Sequence, residues 1–562
     1  MEPLYKEYCT IRPDGGMELH IPDDFNFAYD VVDRIAREEP ERRALVWSQD
    51  ESCVLYPRTD VHERTFTFGD LSRLSSQAAH CLAQRGIGKG DRVLLMLKRH
   101  YTYWYLLLAM HKLGAVALPA ACMLNQEELI HRIQTTNIGH VICLGEPDLC
   151  EKVCAAAEGT SLRGLFCVGA EQPGFERLDN AVEGYPDTFD RIRTSTADPI
   201  LLYFTSGTTG ASKLVLQNGA YSLAHIPTAL LWQNVRDRGL HLSVSDTGWA
   251  KASWGKIYGQ WLCGSAVMAY DYDAFSAVRM MDMINTHKVT TFCAPPTIYR
   301  FLVKNNLVKD GFGTVEYAVT AGEALNAEII NKFREQTGLQ IHAGYGQTES
   351  TLLVGDFVGQ PVCPGSMGKP SPLYHPVIVN EEGRETAPGE LGEIVIPPEG
   401  RCDAGLCLPP TADMDMGGSV WDGDLYRTGD IAYRDENGYF WFVGRVDDVI
   451  KYSGYRISPF EVESILIQHP AVMECAVTGV RDEDRGFVVK ATVVLREGYT
   501  PDRAMTNTLR NFVKEKTADY KVPRIIDYVH ALPKTFSGKI RHVEIRNSDA
   551  GAGKAGGAEK HS

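Results

Sequence analysis

From about Phe25 to Val358, apolar runs of strand length such as RVLLMLK, AVALPA, HVICLG and PILLYFTSG alternate with longer stretches of helical pattern such as YTYWYLLLAMHKLGA. Alternation of this kind predicts parallel sheets covered by helices. Between Gln360 and Gly444 the texture changes to short strands among many Gly and Pro turns, with GELGEIVIP and GYFWFVGR as the clearest β segments. A third pattern begins beyond Asp447: strand and helix in DVIKYSGYRISPFEVESILIQHP, strands in AVMECAVTGV and VVKATVVL, and a helix in MTNTLRNFVKEKTADY. The expected architecture is α/β. A large N-terminal domain (1–446) carries a β-rich subdomain at about 361–446, and a small α+β domain follows (447–546). The end, residues 547–562, is Gly, Ala and charge without periodicity and predicts a disordered tail.

At 562 residues the chain exceeds what one hydrophobic core supports, in keeping with more than one domain. A net charge of -15 opposes any general attraction to nucleic acid or to an anionic membrane, so an anionic ligand would need a locally basic site. One such region exists. Residues 501–546 hold ten Lys/Arg against five Asp/Glu, which suits a polyanion but is equally the composition of a solvated face. The fourteen cysteines lack paired zinc-binding spacings and read as buried reduced thiols. No apolar run reaches the length of a membrane span and the start is polar, which predicts a cytoplasmic protein without stable membrane association.

The chemistry begins at Leu201–Lys213, LLYFTSGTTGASK, where a buried strand runs into glycines and hydroxyls and ends at a lysine. Gly207 and Gly210 permit the backbone N–H groups to turn inward as a nest for phosphate oxygens; Thr205, Ser206, Thr208 and Thr209 add hydroxyls and Lys213 adds charge. The spacing is not that of a P-loop. The string resembles the TSGTTGxPK signature of the adenylate-forming superfamily, which comprises acyl-CoA synthetases, adenylation domains and luciferases; Ser212 stands at the usual proline. Further motifs follow in that family's order: TAGEALN (Thr320–Asn326), GYGQTEST (Gly344–Thr351), YRTGD (Tyr426–Asp430), GRVDDVIKYSGYRISPFEVE (Gly444–Glu463) and PKTFSGKI (Pro533–Ile540).

The resemblance implies a role for each matched position. Gly322, Glu323 and Ala324 belong to the adenine loop, Tyr345 stacks on adenine beside Gly346 and Gln347, Thr348 meets the α-phosphate, and Glu349 ligates Mg²⁺. Asp430 holds the ribose hydroxyls, Arg445 contacts the nucleotide, and Lys539 is the catalytic lysine, with Thr205, Thr348 and Glu349 completing the catalytic set. Asp447 is the hinge of a mobile C-terminal domain, while Gly454, Tyr455 and Arg456 approach CoA, Arg456 meeting a phosphate. Taken alone, Gly454 is as readily a turn glycine. The implied activity is that of an acid:CoA ligase forming AMP, with ATP, Mg²⁺ and CoA; a free-standing enzyme that loads a carrier protein is the alternative, and a catalytically dead nucleotide binder the remoter one. A homodimer is compatible with the resemblance.

The acyl pocket falls on SDTGWAKASWGKIYGQWLCGSAV (Ser245–Val267) with a floor near Thr320–Gly322 and His342–Gly344, giving Trp249, Ser253, Trp254, Lys256, Ala321 and Gly344 as candidates. Read as one helix, Trp254, Tyr258 and Trp261 form one face and Trp249, Ala252, Ser253 and Lys256 another, with neither face singled out as pocket lining. Trp254 and Trp261 at that spacing are more often core than lining. Lys256 either pairs with an acidic group of the substrate or, more commonly for lysine, snorkels to solvent. The wording SDTGW resembles medium-chain and aryl acid:CoA ligases, implying a short-branched, medium-chain or aromatic acid.

Overall fold

The computed structural model describes residues 1–55, 62–206, 212–309, 311–323, 325–409, 420–452, 455–482, 486–534 and 540–555. It falls into two compact units, one of Met1–Ser206, Ser212–Pro376 and Ile396–Leu425, the other taking in Val377–Val395 and the chain from Tyr426 on.

The first unit is built on two large sheets. In the seven-stranded sheet, Arg92–Met96, Val116–Pro119 and His140–Leu144 run parallel, and their largely apolar composition suits strands covered on both faces. Thr102–Leu113 is buried along its whole length and stops where Gly114 turns left-handed (φ 65°). The nine-stranded sheet runs parallel through Arg43–Gln49, Ala266–Asp271, Leu240–Ser243, Thr291–Ala294, Tyr317–Ala321 and Ile341–Gly346, then continues antiparallel through Leu352–Gly355. Period-two alternation divides its side chains. Leu242, Met268, Phe292 and Ala318 enter one hydrophobic core, whereas Cys293, Val319 and Ala321 join Trp232 and Trp254 on the opposite face.

The second unit contains the antiparallel strands Val377–Val379 with Gly392–Ile396, and Leu425–Arg434 with Phe440–Arg445, followed by an α+β part. There the strands Val472–Asp482 and Gly486–Leu495 pair antiparallel, and the helices Pro459–Leu466 and Arg503–Lys514 bury Val462, Leu466, Leu509 and Val513 against them. The tail corrects the sequence reading: a helix runs from His542 to Ala555 rather than giving way at 547. Its anchor is Asp549, whose carboxylate pairs with Lys490, a contact made across the fold and so absent from local composition. Among the described residues no helix is long and apolar enough to cross a membrane, and all fourteen cysteines are unbridged, with Cys154, Cys363 and Cys402 partly exposed.

Candidate functional site

The strand Pro199–Ser206 delivers Thr205 to the edge of the first unit's core, and Ser212–Asn218 returns beside it so that Thr205 faces Lys213 across the pair. Both side chains are half-buried. Gly207, Thr208, Thr209 and Gly210, which complete the expected phosphate loop, lie outside the described residues, as do Ala324, Gly454 and Lys539. The strand itself is tied down by Tyr203, whose hydroxyl meets the Ser253 hydroxyl at 2.7 Å in a fully buried position. On the returning strand, Gln217 donates to the Thr348 carbonyl at 3.1 Å. This buried amide joins the phosphate-loop pair to the GYGQTEST segment, a link the motifs themselves did not announce.

That segment is the end of the strand Ile341–Gly346 and the turn after it. Gln347 N–H donates to Ser350 Oγ at 3.0 Å and Cys407 N–H donates to the Glu349 carbonyl at 2.7 Å, so Thr348 and Glu349 are carried on a braced turn with half-buried side chains. The glycines flanking Tyr345 are steric necessities. A Cβ on Gly344 would stand 2.5 Å from the Trp232 ring; one on Gly346 would stand 2.4 Å from the Thr351 carbonyl oxygen and 2.5 Å from the Trp254 ring. The two tryptophans lie edge to face at 6.3 Å, a buried apolar wall beneath the strand. The adenine-loop candidates begin one strand over, Ala321 being registered against Gly344. Lys251 Nζ donates to the Ala321 carbonyl at 2.8 Å, Gly322 takes φ +105° with open space around it, and Glu323 pairs with Arg300 at 3.7 Å.

Asp356, which sequence reasoning passed over, braces this strand from behind. Its carboxylate accepts from Ala343 N–H at 2.7 Å while the Asp356 N–H donates to the Ala343 carbonyl at 2.8 Å. Burial pushes its carboxyl up to about 7, and burial likewise pushes His342, stacked on Tyr317 at 4.1 Å, down to about 4. A carboxyl whose folded value lies above its unfolded one holds its proton more readily when folded. Its contribution is therefore complete below the ordinary carboxylate range and is lost as pH rises through about 7. Asp356→Asn should raise the melting temperature at pH 8 and leave it little changed at pH 4. Thermal unfolding at both pH values checks this, and an equal shift at the two would refute it.

In the acyl segment the structure departs from the single helix expected. Lys251–Gly255 and Tyr258–Leu262 are separate short helices, with Lys256 (φ -131°) and Ile257 (φ -159°) breaking the run between them. The break follows from close packing. A Cβ on Gly255 would stand 2.5 Å from Ser243 Oγ, so the chain lies hard against the sheet there and then turns away. Trp261 is core, its indole donating to the Ala44 carbonyl at 3.0 Å, and Trp254 is buried in the wall under Gly346, whereas Trp249 is half-exposed. The snorkelling expected of Lys256 is overturned: it is 1 % exposed. The turn draws it inward, where the helix reading had allowed it an outer face.

In the second unit, Asp430 and Arg445 are register partners on adjacent strands, with Arg445 Nη1 3.3 Å from Asp430 Oδ1. Asp430 is nearly buried and Arg445 half-exposed, so the acid is held in place by a cation that still reaches outward. Gly429 (φ +69°) leaves room for that guanidinium, which a Cβ would approach to 3.1 Å. Asp447 is exposed at the start of a turn in which Asp448 N–H and Val449 N–H both donate to the Arg445 carbonyl; Arg546 closes it by donating to the Asp447 carbonyl at 2.7 Å and pairing with Asp448. Tyr455 and Arg456 occupy the short strand Tyr455–Ile457, paired with Ile450–Tyr452.

Comparison with known proteins agrees with this layout. The family model described as AMP-binding enzyme matches residues 32–400, and that described as AMP-binding enzyme C-terminal domain matches residues 461–539. The mouse protein acyl-coenzyme A synthetase ACSM3, mitochondrial, is 34 % identical over 98 % of this chain and 96 % of its own length. A 4-hydroxybutyrate–CoA ligase of Metallosphaera sedula is 38 % identical over 93 % of this chain and 91 % of its own. Among solved structures, the anthranilate CoA ligase AuaEII in complex with anthranoyl-AMP superposes with a TM-score of 0.83 at 26 % identity, covering 95 % of this chain and 99 % of that one. With both family models matched, the first across most of the chain, this protein belongs to the AMP-binding enzyme family.

Proposed function

We propose that this chain is an AMP-forming acid:CoA ligase, which condenses a short-branched, medium-chain or aromatic carboxylic acid with ATP to give acyl-AMP and pyrophosphate and then passes the acyl group to CoA. The observation that carries the reading is the braced turn Gln347–Ser350. Thr348 and Glu349 stand on it, and it is joined through Gln217 to the strand pair bearing Thr205 and Lys213. Relatives that act as acyl-CoA synthetases and as a hydroxy acid:CoA ligase support the same assignment.

A carboxylate is a poor acyl donor because oxide is a poor leaving group; adenylation replaces oxide with AMP. Attack of one anion on another requires charge neutralisation at the α-phosphate. Thr205, Lys213, Thr348 and Lys539 are assigned to supply it. Glu349 is a single half-buried carboxylate on a turn. Such a donor suits Mg²⁺, a cation that takes one or two protein carboxylates and completes its shell with phosphate oxygens and water. When bound, that ion supplies Lewis-acid stabilisation of phosphate charge. Asp430 accepts from the ribose hydroxyls in this reading, with Arg445 beside it and Asp447 as the hinge. Gly454, Tyr455 and Arg456 are assigned to CoA, the activity to the cytoplasm.

Acid-dependent pyrophosphate release over a panel of carboxylic acids, with and without CoA, tests the proposal, with thioester scored by mass spectrometry. Release independent of acid would overturn it, and release without any thioester would assign the acyl group to a carrier protein. Asp430→Ala is expected to raise the KM for ATP by about ten- to a hundredfold, the scale of a lost charged hydrogen bond. An unchanged KM for ATP would remove Asp430 from the ribose site.

A further inference from the structure

Lys256 is the most unusual charged group in the first unit. It is 1 % exposed, and among the described residues its Nζ has neither a hydrogen bond nor an ion-pair partner. Arg99, Asp246, Asp271, Cys293 and His241 all lie close enough to act on it electrostatically. Two more polar groups stand unsatisfied nearby. On the strand Leu240–Ser243, residues 241 and 243 share a face, and the polypeptide just before Lys256 is pressed onto Ser243. His241 Nδ1 is engaged with Thr291 Oγ1 at 2.8 Å, but among the described residues His241 Nε2 and Ser243 Oγ are buried without a partner. A lone buried orphan of this kind is destabilising, because it has given up water without gaining a partner. Two of them beside an unpaired buried ammonium form a site built for a polar guest.

The place of this cluster relates it to the acyl pocket. Cys293, which acts on Lys256, packs in one buried apolar cluster with Trp254 and Ala321, two of the acyl-pocket candidates. At the nucleotide end of the same segment, Lys251 reaches the Ala321 carbonyl. Lys256 follows five residues later, just past the end of that short helix and about 7.5 Å further along at helical rise, a spacing on the scale of a short acyl chain. The charges decide what kind of end that chain carries. Protonated Lys256 with Arg99 balances Asp246 and Asp271. A second carboxylate would leave the buried cluster with an excess negative charge, whereas a neutral oxygen adds none. Burial also pushes the amine down to about 7, which makes an added hydrogen-bond acceptor the more valuable to its charged form.

Resting on the ligase reading above, we propose that Lys256, His241 and Ser243 are the polar floor of the acyl pocket and select a short acid bearing a neutral hydroxyl at its far end. The hydroxyl oxygen accepts from Lys256 Nζ, and the hydroxyl O–H donates to Ser243 Oγ or His241 Nε2. Pockets that hydrogen-bond a substrate hydroxyl reject the analogue lacking it, because the site's own polar groups are then left unpaired.

The test compares kcat/KM for butyrate, 4-hydroxybutyrate and succinate, and for pentanoate and 5-hydroxypentanoate, in the full-length protein and in Lys256→Met. The wild type should favour each hydroxy acid over its plain counterpart by about tenfold or more, and the variant should reduce that ratio by a similar factor. Wild-type preference for the plain acids overturns the proposal without need of the variant. So does a ratio that Lys256→Met leaves unchanged. Preference for succinate that the variant abolishes replaces the neutral hydroxyl with a carboxylate. Absence of pyrophosphate release with every acid is a separate result, and refutes the ligase reading itself.

Discussion

Lys539→Ala should lower acid-dependent pyrophosphate release by about a thousandfold, while thioester formation from supplied acyl-adenylate and CoA is retained. The expectation comes from the two halves of the reaction having opposite electrostatic needs. Adenylation brings a carboxylate against a polyphosphate, and a lysine that bridges their oxygens acts where negative charge accumulates in the transition state; losing one well-placed donor of that kind costs about 3–4 kcal/mol. Thiol attack on the adenylate displaces AMP and makes no such demand on the same side chain. Rapid-quench measurement of each half-reaction checks the division. Equal loss of both would mean that Lys539 supports the fold or binds a group common to both steps.

Gly346→Ala should be strongly damaging, since its one added methyl group falls on the strand that carries Tyr345. The added carbon would stand 2.4 Å from a backbone carbonyl across the hairpin and 2.5 Å from the Trp254 ring. Neither neighbour is free to retreat: the carbonyl belongs to Thr351, whose own N–H is bonded to Gly405, and Trp254 is packed into the buried wall. Overpacking of this kind costs about 1–3 kcal/mol. The strand would relieve it by moving Tyr345 and the turn that carries Thr348 and Glu349. A loss of pyrophosphate release of about a hundredfold, larger than the loss of thermal stability would produce, is the expected signature. A variant with a lowered melting temperature and ordinary turnover would show that the glycine serves packing alone.

The elements that were legible in the sequence are those whose environment is uniform along their length. RVLLMLK and HVICLG have largely apolar centres covered on both faces, and these are strands; YTYWYLLLAMHKL is largely apolar, and its helix Thr102–Leu113 is wholly buried. The motif strings were legible because each is a short run of particular residue types at fixed spacing. What was not legible depends on partners distant in sequence. The Trp-rich segment has helical spacing, yet its continuity is broken by Ser243 pressing on Gly255, a contact that no periodicity encodes. Lys256 reads as a surface residue until the turn after Gly255 draws it inward. The helix beyond Arg546 depends on Asp549 meeting Lys490, and Asp356 acts on Ala343 from the neighbouring strand.

The bond between Tyr203 and Ser253 bears on how such an enzyme discriminates between acids. One end belongs to the strand that feeds the phosphate loop, the other to the short helix two residues before Gly255. Both hydroxyls are buried, so water is not at hand to take up slack between them. Under the proposed assignment, the acyl segment and the strand leading to the phosphate loop are thereby keyed to one another at a set separation, like the jaws of a caliper. In that reading, an acid too long or too broad would shift the helix, and with it the strand that presents Thr205. Misfit at one end of the substrate is then felt as misalignment at the other, in turnover as well as in affinity.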